Sequence, residues 1–467
     1  MRKSKIICTI GPACNKIDVL EKLYFNGMNV ARINLSHGDS TSLQNTINNI
    51  KLVREKHKVP IPIMLDTKGP EIRIKNFKNG QITLKKNRLF TFTTQEILGD
   101  ETKVSLAYKE LINDIKIGNK IYANNGMIVL KVKKITENEI VCKVLFGGKL
   151  TNGKGLNIPN IAPKGEYLSE KDKHDLLFAI KNKVEIIAAS FVGNKNDIVL
   201  LKDFLRKNGG ENIKIIAKIE NAEGVKNLSS ILSECEGIMV ARGDLGVEIP
   251  LEKIPVFQKK AILLANQMGK ISIIATEMLE SMTNSIRPTR AEVSDVANGI
   301  YEMATAIMLS GETAVGKYPI YTTKTMSKIA FETEKHINYN KLFFDTHKKS
   351  LSLADSISQS TCTSAINLKA KAIFVYTNLG NSANLIARHR INVPIVAITR
   401  NPQTFHSLAL SWNVMPYFEE KTFSEEEMIE YAKLFAKKLN LAKNKDIIIV
   451  QTGKDDQCSN CLKAIRL

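Results

Sequence analysis

The chain has 467 residues, 43% of them hydrophobic, and its 67 Lys and Arg against 47 Asp and Glu give a formal charge of +20. That length predicts two or three domains with ample core-forming material, and no apolar run approaches the roughly 18–20 residues that span a bilayer. The cations are spread evenly, with no basic arm and no basic stripe interleaved with aromatics, so the charge reads as a solvated surface that draws in anionic substrates rather than as a nucleic-acid footprint.

In chain order, Met1 to Lys5 is basic, but the apolar run Ile6 to Ile10 is too short for a signal-peptide core; a cytoplasmic protein is expected. Short apolar runs then recur, each ending in polar residues and followed by a helix-like stretch. Lys5 to Ile10 ends at Thr9, and Asn29 to Ile33 is flanked by Arg32, Asn34 and Ser36. Ile61 to Leu65 ends at Asp66 and Thr67, Glu185 to Ala189 at Ser190. Ile213 to Ile219 carries Lys218 and Glu220, and Gly237 to Val240 leads to Arg242 and Asp244. Ile271 to Ala275 leads to Thr276 and Glu277, and Thr305 to Leu309 to Ser310 and Glu312. Eight strands alternating with helices predict a closed parallel barrel with its active site at the strands' carboxyl ends.

Between the third and fourth runs, from about Glu71 to Pro163, the pattern changes to short alternating stretches such as Gln81 to Leu84 and Leu89 to Thr93, with turn pairs at Asn79-Gly80 and Gly147-Gly148. These are the signals of a small β domain. After about Lys335 a polar stretch leads to strands at Ala372–Tyr376, Pro394–Thr399 and Asp446–Val450, which predict an open doubly wound sheet. The fold class is therefore α/β: a (β/α)8 TIM barrel with an inserted small β-barrel domain and a C-terminal open α/β sheet domain. The expected boundaries are 1–70 with 164–335 for the barrel, 71–163 for the insert and 336–467 for the last domain. Seven scattered cysteines fit a reducing compartment, and Cys458 with Cys461 lacks the two further ligands of a zinc site.

Residues i and i+2 of a strand share a face, so Lys218 and Glu220 project together, a cation beside a carboxylate. Asp244 closes the next run in the same way, and two such ends can hold one Mg²⁺, a hard cation that takes oxygen ligands. Two glycine-rich stretches, Gly311 to Lys317 and Gly148 to Lys154, mimic a phosphate-binding P-loop. They are followed by Tyr318 and Gly155, where the motif needs Ser or Thr.

Several long motifs converge on one family. Asn34-Leu35-Ser36-His37-Gly38-Asp39, Leu65 through Arg73, Ala217-Lys218-Ile219-Glu220-Asn221, Met239 through Pro250 and Met308 through Thr313 closely resemble pyruvate kinase, essentially end to end and in order. The pattern is similar to the bacterial fructose-bisphosphate-regulated type. The resemblance implies transfer of the phosphoryl group of phosphoenolpyruvate to ADP, Mg²⁺ and K⁺ as cofactors, and a homotetramer. It implies that Glu220 and Asp244 hold Mg²⁺, that Lys218 faces the transferring phosphoryl group, and that Arg32 contacts the phosphate. Gly243, Asp244 and Thr276 are implied at the substrate carboxylate, with Thr276 near the carbon that is protonated. Asn34, Ser36, Asp66 and Thr67 are implied as potassium ligands, and Glu71 matches the motif version that accompanies potassium dependence. Arg73 and Lys154 are implied at the nucleotide phosphates, Lys154 from an insert that closes as a lid. Ser310 and Glu312 either form a proton relay behind Thr276 or cap a strand end.

Departures from the pattern are few. Gly193 stands where an arginine is usual, and Asn124-Asn125-Gly126 replaces an acidic pair before glycine. In the effector loop Thr377 to Ser382, Leu379 and Asn381 are atypical, and the final loop, Thr452 to Asn460, carries Asp455 and Asp456, which repel a sugar bisphosphate; weakened or lost activation is expected. A Mg²⁺-dependent lyase or aldolase would share the metal pair and Lys218, but has no use for Arg73, Lys154 or the insert. A basic nucleic-acid-binding protein that kept the fold would show steeply salt-dependent duplex binding.

Overall fold

The computed structural model describes residues 2–36, 40–124, 126–159, 161, 166–345, 352–452 and 461–467. His37, Gly38, Asp39, Asn125, Pro163 and the final loop from Gly453 to Asn460, Cys458 included, lie outside the described residues.

Eight parallel strands close into a barrel: Lys5–Thr9, Val30–Asn34, Ile63–Asp66, Ile186–Ala189, Lys214–Ile219, Gly237–Ala241, Ile271–Ala275 and Ala306–Leu309, each paired with its neighbours in chain order and the last with the first. They are the eight apolar runs of the sequence. Their near-continuous burial is what a parallel strand requires, because helices cover one face and the barrel interior the other. Ile7, Val30, Met64, Ile186, Ile216, Met239 and Ile273 fill that interior, while a larger core lies between the strands and the surrounding helices. Capping boxes at Ser169, Asn194 and Thr289 start three of the helices, each hydroxyl or amide oxygen accepting from the backbone while an acidic side chain answers at the third position.

Between the third and fourth barrel strands the chain builds a six-stranded sheet and a two-stranded sheet around one apolar core. Gln81–Leu84 alternates exposed and buried residues, the period-two pattern of a strand with one wet face. Beyond the helix Pro319–Lys335, a third sheet has five strands: Ile373–Tyr376, Ile395–Thr399, Val414–Phe418 and Ile447–Thr452 run parallel, and Cys461–Arg466 pairs antiparallel with Ile447–Thr452. Val414–Phe418 and Cys461–Arg466 were not foreseen. Both are edge strands, where Pro416 is tolerated and a half-exposed face weakens the apolar signal.

The C-terminal sheet unit docks on the barrel floor, the amino-terminal end of its strands. Leu410 is fully buried within the cluster that fills the barrel interior. Lys5 Nζ donates to the Val414 carbonyl at 2.8 Å, and the Asn413 amide to the Lys3 carbonyl at 2.9 Å. Among the described residues no helix is long and apolar enough to cross a membrane.

Candidate active site

The carboxyl ends of the barrel strands and the rim of the inserted unit enclose a cleft of about 300 Å³. Arg32, Asn34, Ser36, Asp66, Thr67, Arg73, Lys154, Lys218, Glu220, Asp244 and Thr276 all line it. Of the candidate site residues Gly243 and Glu312 are not in its wall, and the Gly243 amide donates to Thr276 Oγ1 at 2.7 Å.

Lys218 lies near the centre. Its Nζ is 2.9 Å from Glu220 Oε1, 3.1 Å from Asp66 Oδ1 and 2.8 Å from Ser190 Oγ. Burial alone would favour the neutral amine, but Asp66 and Glu220 override it and hold the ammonium well above its ordinary pKa. Asp66 also accepts from Arg32 Nε at 2.9 Å and from Ser190 Oγ at 3.0 Å. Its burial works against ionisation, yet Arg32 and Lys218 outweigh that and keep the carboxyl below the usual range. Arg32 in turn reaches Thr9 Oγ1 at 3.0 Å. Gly69 makes the turn after the third strand with φ +67°, where a Cβ would sit 2.8 Å from the Ser190 carbonyl, so only glycine lets the two strand ends close together.

Desolvation raises both carboxyls, that of the buried Glu220 and that of the half-buried Asp244; Lys218 opposes it at each, Asp244 adds to the rise at Glu220, and Glu71 and Asp66 add to that at Asp244. The Phe191 amide donates to Glu220 Oε2 at 2.7 Å. Two neighbouring carboxylates, one buried and one half-buried, offer an all-oxygen donor set that fits Mg²⁺. That ion is commonly held by one or two carboxylates plus substrate oxygens and water. Among the described residues no group of three or more His, Cys, Asp or Glu side chains forms a metal cage. Asn34, Ser36, Asp66 and Thr67 likewise offer only oxygens on one wall, which suits an alkali cation. Asn34 Oδ1 already accepts from the Ser36 amide at 2.9 Å, and Thr67 Oγ1 from the Ser190 amide at 3.1 Å.

Thr276 follows the seventh strand with φ +67°, and Glu277 with φ +57°; positive φ at a β-branched residue is strained and persists only where surroundings enforce it. The enforcement comes from Arg242. Its Nη2 donates to the Thr276 carbonyl at 2.8 Å and is 2.7 Å from Asp295 Oδ2. Sequence reasoning missed this clamp, and it passed over Ser190 as a mere strand end. The signal for Ser190 was its place after the fourth run, matching the positions of Asp66 and Thr276.

On the inserted unit, Arg73 Nε donates to Glu71 Oε2 at 2.7 Å and Nη1 to the Gly153 carbonyl at 2.7 Å, so it is held back against its own unit. Glu71 is itself raised by burial despite Arg73. Ser310 Oγ lines the cleft, buried and without a hydrogen-bond partner among the described residues. Glu312 behaves differently: its oxygens accept from the Leu279 amide at 3.1 Å and the Ser310 amide at 2.7 Å. That is the strand-end cap rather than a group facing substrate. A larger cleft of about 720 Å³ continues between the inserted unit and the barrel, from Tyr108 and Glu166 to Glu223.

Comparison with known proteins matches these features. Residues 1–323 fit the family model for the pyruvate kinase barrel domain and residues 355–465 that for the pyruvate kinase alpha/beta domain. The chain is 43% identical over 461 residues to pyruvate kinase of Clostridium perfringens, covering 97% of this chain and 96% of the relative. It is 42% identical over 455 residues to that of Geobacillus stearothermophilus, covering 97% of this chain and 78% of the relative. A crystal structure of a pyruvate kinase from Cryptosporidium parvum superposes with a TM-score of 0.94 at 39% identity, covering 100% of this chain and 96% of that one. With its barrel, its C-terminal sheet and its strand-end site in agreement with these relatives, the chain belongs to the pyruvate kinase family.

Proposed function

We propose that this cleft transfers the phosphoryl group of phosphoenolpyruvate to ADP, giving pyruvate and ATP, with Mg²⁺ at Glu220 and Asp244 and K⁺ at Asn34, Ser36, Asp66 and Thr67. The observation that carries the reading is the buried Lys218 ammonium, fixed by Ser190, Asp66 and Glu220, with the half-buried Asp244 carboxylate in the same cleft wall. Held by Glu220 and Asp244, a divalent ion would supply charge neutralisation as phosphoryl transfer proceeds. The protein's own part is positional and electrostatic, as phosphoryl transfer requires. Lys218 places a fixed positive charge where negative charge accumulates, and Arg32, braced by Asp66, orients the phosphate.

At the other end of the substrate, the carboxylate takes up the Gly243 amide at the start of the helix Arg242–Glu248. That releases Thr276 Oγ1, which otherwise accepts from the Gly243 amide and donates to the Ala275 carbonyl at 2.6 Å. A freed Thr276 hydroxyl, held in its strained turn by Arg242, stands beside the carbon that gains a proton, with the unpaired Ser310 hydroxyl behind it. Arg73 and Lys154 bind the nucleotide phosphates once the inserted unit closes as a lid, Arg73 leaving Glu71 to do so. The proposed domain division is 1–70 with 164–335 for the barrel, 71–163 for the insert and 336–467 for the last domain, a reading supported by the order of the three sheets along the chain. On the family resemblance, a cytoplasmic homotetramer that performs the last step of glycolysis completes the reading.

Pyruvate formation by the purified chain, with ADP, Mg²⁺ and K⁺ each omitted in turn, tests this. Activity lost without ADP or Mg²⁺ and reduced without K⁺ is expected; pyruvate chemistry that persists without ADP refutes the transfer.

A further inference from the structure

A second cavity, of about 440 Å³, lies at the opposite end of the barrel, in the seam between its floor and the C-terminal sheet unit. Four cations line it: Lys214 and Lys270 from the barrel, Arg388 and Arg390 from the other side. Glu236 is the one carboxylate in its wall. Lys214 Nζ is buried and has no hydrogen-bond partner among the described residues, and the same holds for Arg390 Nε. Unpaired cationic donors in the interior are costly, and a wall that keeps two of them is built for an anion.

The remaining groups are arranged around that need. Arg390 is held by Asn266 Oδ1 at 2.6 Å and Thr305 Oγ1 at 2.8 Å, with its guanidinium 5.0 Å from the Trp412 ring centroid. Arg388 is tied to Asp355 at 2.9 Å and Lys270 to the Cys235 carbonyl at 2.6 Å, which fixes both without neutralising Lys214. Asn381 and Asn384 add neutral amides from the C-terminal unit. Burial lowers the Lys214 pKa to about 8, with Glu236 offsetting part of the effect, so a bound anion restores the charge that burial opposes.

We infer that this seam is a second ligand site, for a phosphomonoester metabolite, whose phosphate lies between Lys214, Lys270 and Arg390 while its organic part meets the Asn381 and Asn384 amides. It shares Asn381 with the effector loop but opens on the barrel side of it, since neither Thr377 nor Ser382 lines it. Its placement gives occupancy a route to catalysis. Lys214, Glu236, Ile271 and Thr305 stand at the feet of the fifth to eighth barrel strands, whose far ends lead to Lys218 and Glu220, Asp244, Thr276 and Ser310. A ligand that draws Arg388 and Arg390 onto these feet therefore biases the four strands that carry the chemistry.

The test is calorimetric titration of the full chain with inorganic phosphate and with glucose 6-phosphate, saturating phosphoenolpyruvate filling the catalytic cleft. Lys214→Met and Lys270→Met are compared with Ser382→Ala in the effector loop. We expect each lysine variant to weaken glucose 6-phosphate binding by about tenfold or more, the usual scale for a hydrogen bond to a charged group, and Ser382→Ala to leave it unchanged. We also expect glucose 6-phosphate to shift the half-saturating phosphoenolpyruvate concentration of the wild type and not that of Lys214→Met. Lys214→Met removes an unpaired buried charge and so keeps or raises the thermal midpoint, which guards against reading misfolding as lost binding. Equal affinity in wild type and both lysine variants, or loss confined to Ser382→Ala, overturns the proposal. Binding of inorganic phosphate but not of glucose 6-phosphate overturns the phosphomonoester assignment.

Discussion

Ser190→Ala isolates the positioning of Lys218 from its charge. The Ser190 hydroxyl is 2.8 Å from Lys218 Nζ, 3.0 Å from Asp66 Oδ1 and 2.7 Å from the Thr67 carbonyl, all in a buried setting. Removing it leaves Lys218 with two carboxylates, Asp66 at 3.1 Å and Glu220 at 2.9 Å, so the ammonium keeps its charge but loses one of the three contacts that fix its position. A hydrogen bond to a charged group is worth about 1.5–3 kcal/mol. If that positioning is used in the transition state, turnover falls by roughly 10- to 100-fold, at about 1.4 kcal/mol per factor of ten. The effect belongs in kcat, with little change in KM for phosphoenolpyruvate, because substrate contacts run through Arg32 and the Gly243 turn. Steady-state kinetics at saturating ADP and Mg²⁺, beside a thermal melt to confirm folding, reads it directly. A kcat within twofold of wild type would refute the reasoning and show that the carboxylates alone place Lys218.

Three further outcomes are expected. Lys218→Met removes the charge itself and lowers kcat by at least about 100- to 1000-fold, as loss of one preorganised donor does; substantial residual turnover measured in the same assay would remove Lys218 from the reaction. His406 is half-buried, its Nδ1 sealed from solvent and lacking a hydrogen-bond partner among the described residues, and burial first, then Arg54, lowers its pKa from the usual 6.5 to about 3. Between those values the unfolded chain binds the proton and the folded chain does not. Stability therefore falls as pH drops below 6.5, by up to about 1.4 kcal/mol per unit for this one group; denaturant melts of wild type and His406→Gln across pH 4–7 should differ in slope, and parallel curves would contradict it. Fructose 1,6-bisphosphate should leave the phosphoenolpyruvate saturation curve unchanged at micromolar concentrations, given Leu379 and Asn381 in the effector loop and Asp455 and Asp456 in the sequence of the last loop; a shift to lower half-saturation would show that the site survives.

The barrel was legible because its physics is written locally. A strand buried on both faces must be apolar throughout, and a strand that feeds an active site must end in polar groups, so Ile213 to Glu220 announces both its place and its use. The edge strands of the C-terminal sheet carry no such mark: Val414–Phe418 contains Pro416, and Cys461–Arg466 is only half-buried. Within the site, residue types were readable but their commitments were not. Arg73 is turned onto Glu71, the Gly243 amide onto Thr276, and the strain at Thr276 is held by an Arg242–Asp295 pair 53 positions apart in sequence. Each of these is a contact between loops that only the closed barrel brings together. The floor cavity is the extreme case. Lys214 and Glu236 read in the sequence as flanks of apolar runs, and nothing local distinguishes them from solvent-facing charges. What makes Lys214 an unpaired buried cation is the arrival of a unit more than 150 residues downstream, which puts Arg388 and Arg390 where water would otherwise satisfy it. The strand ends that carry the reaction are thus specified by short motifs, whereas what sits at the strand beginnings is specified by docking, and regulation is the property that can be built there without altering a single motif residue.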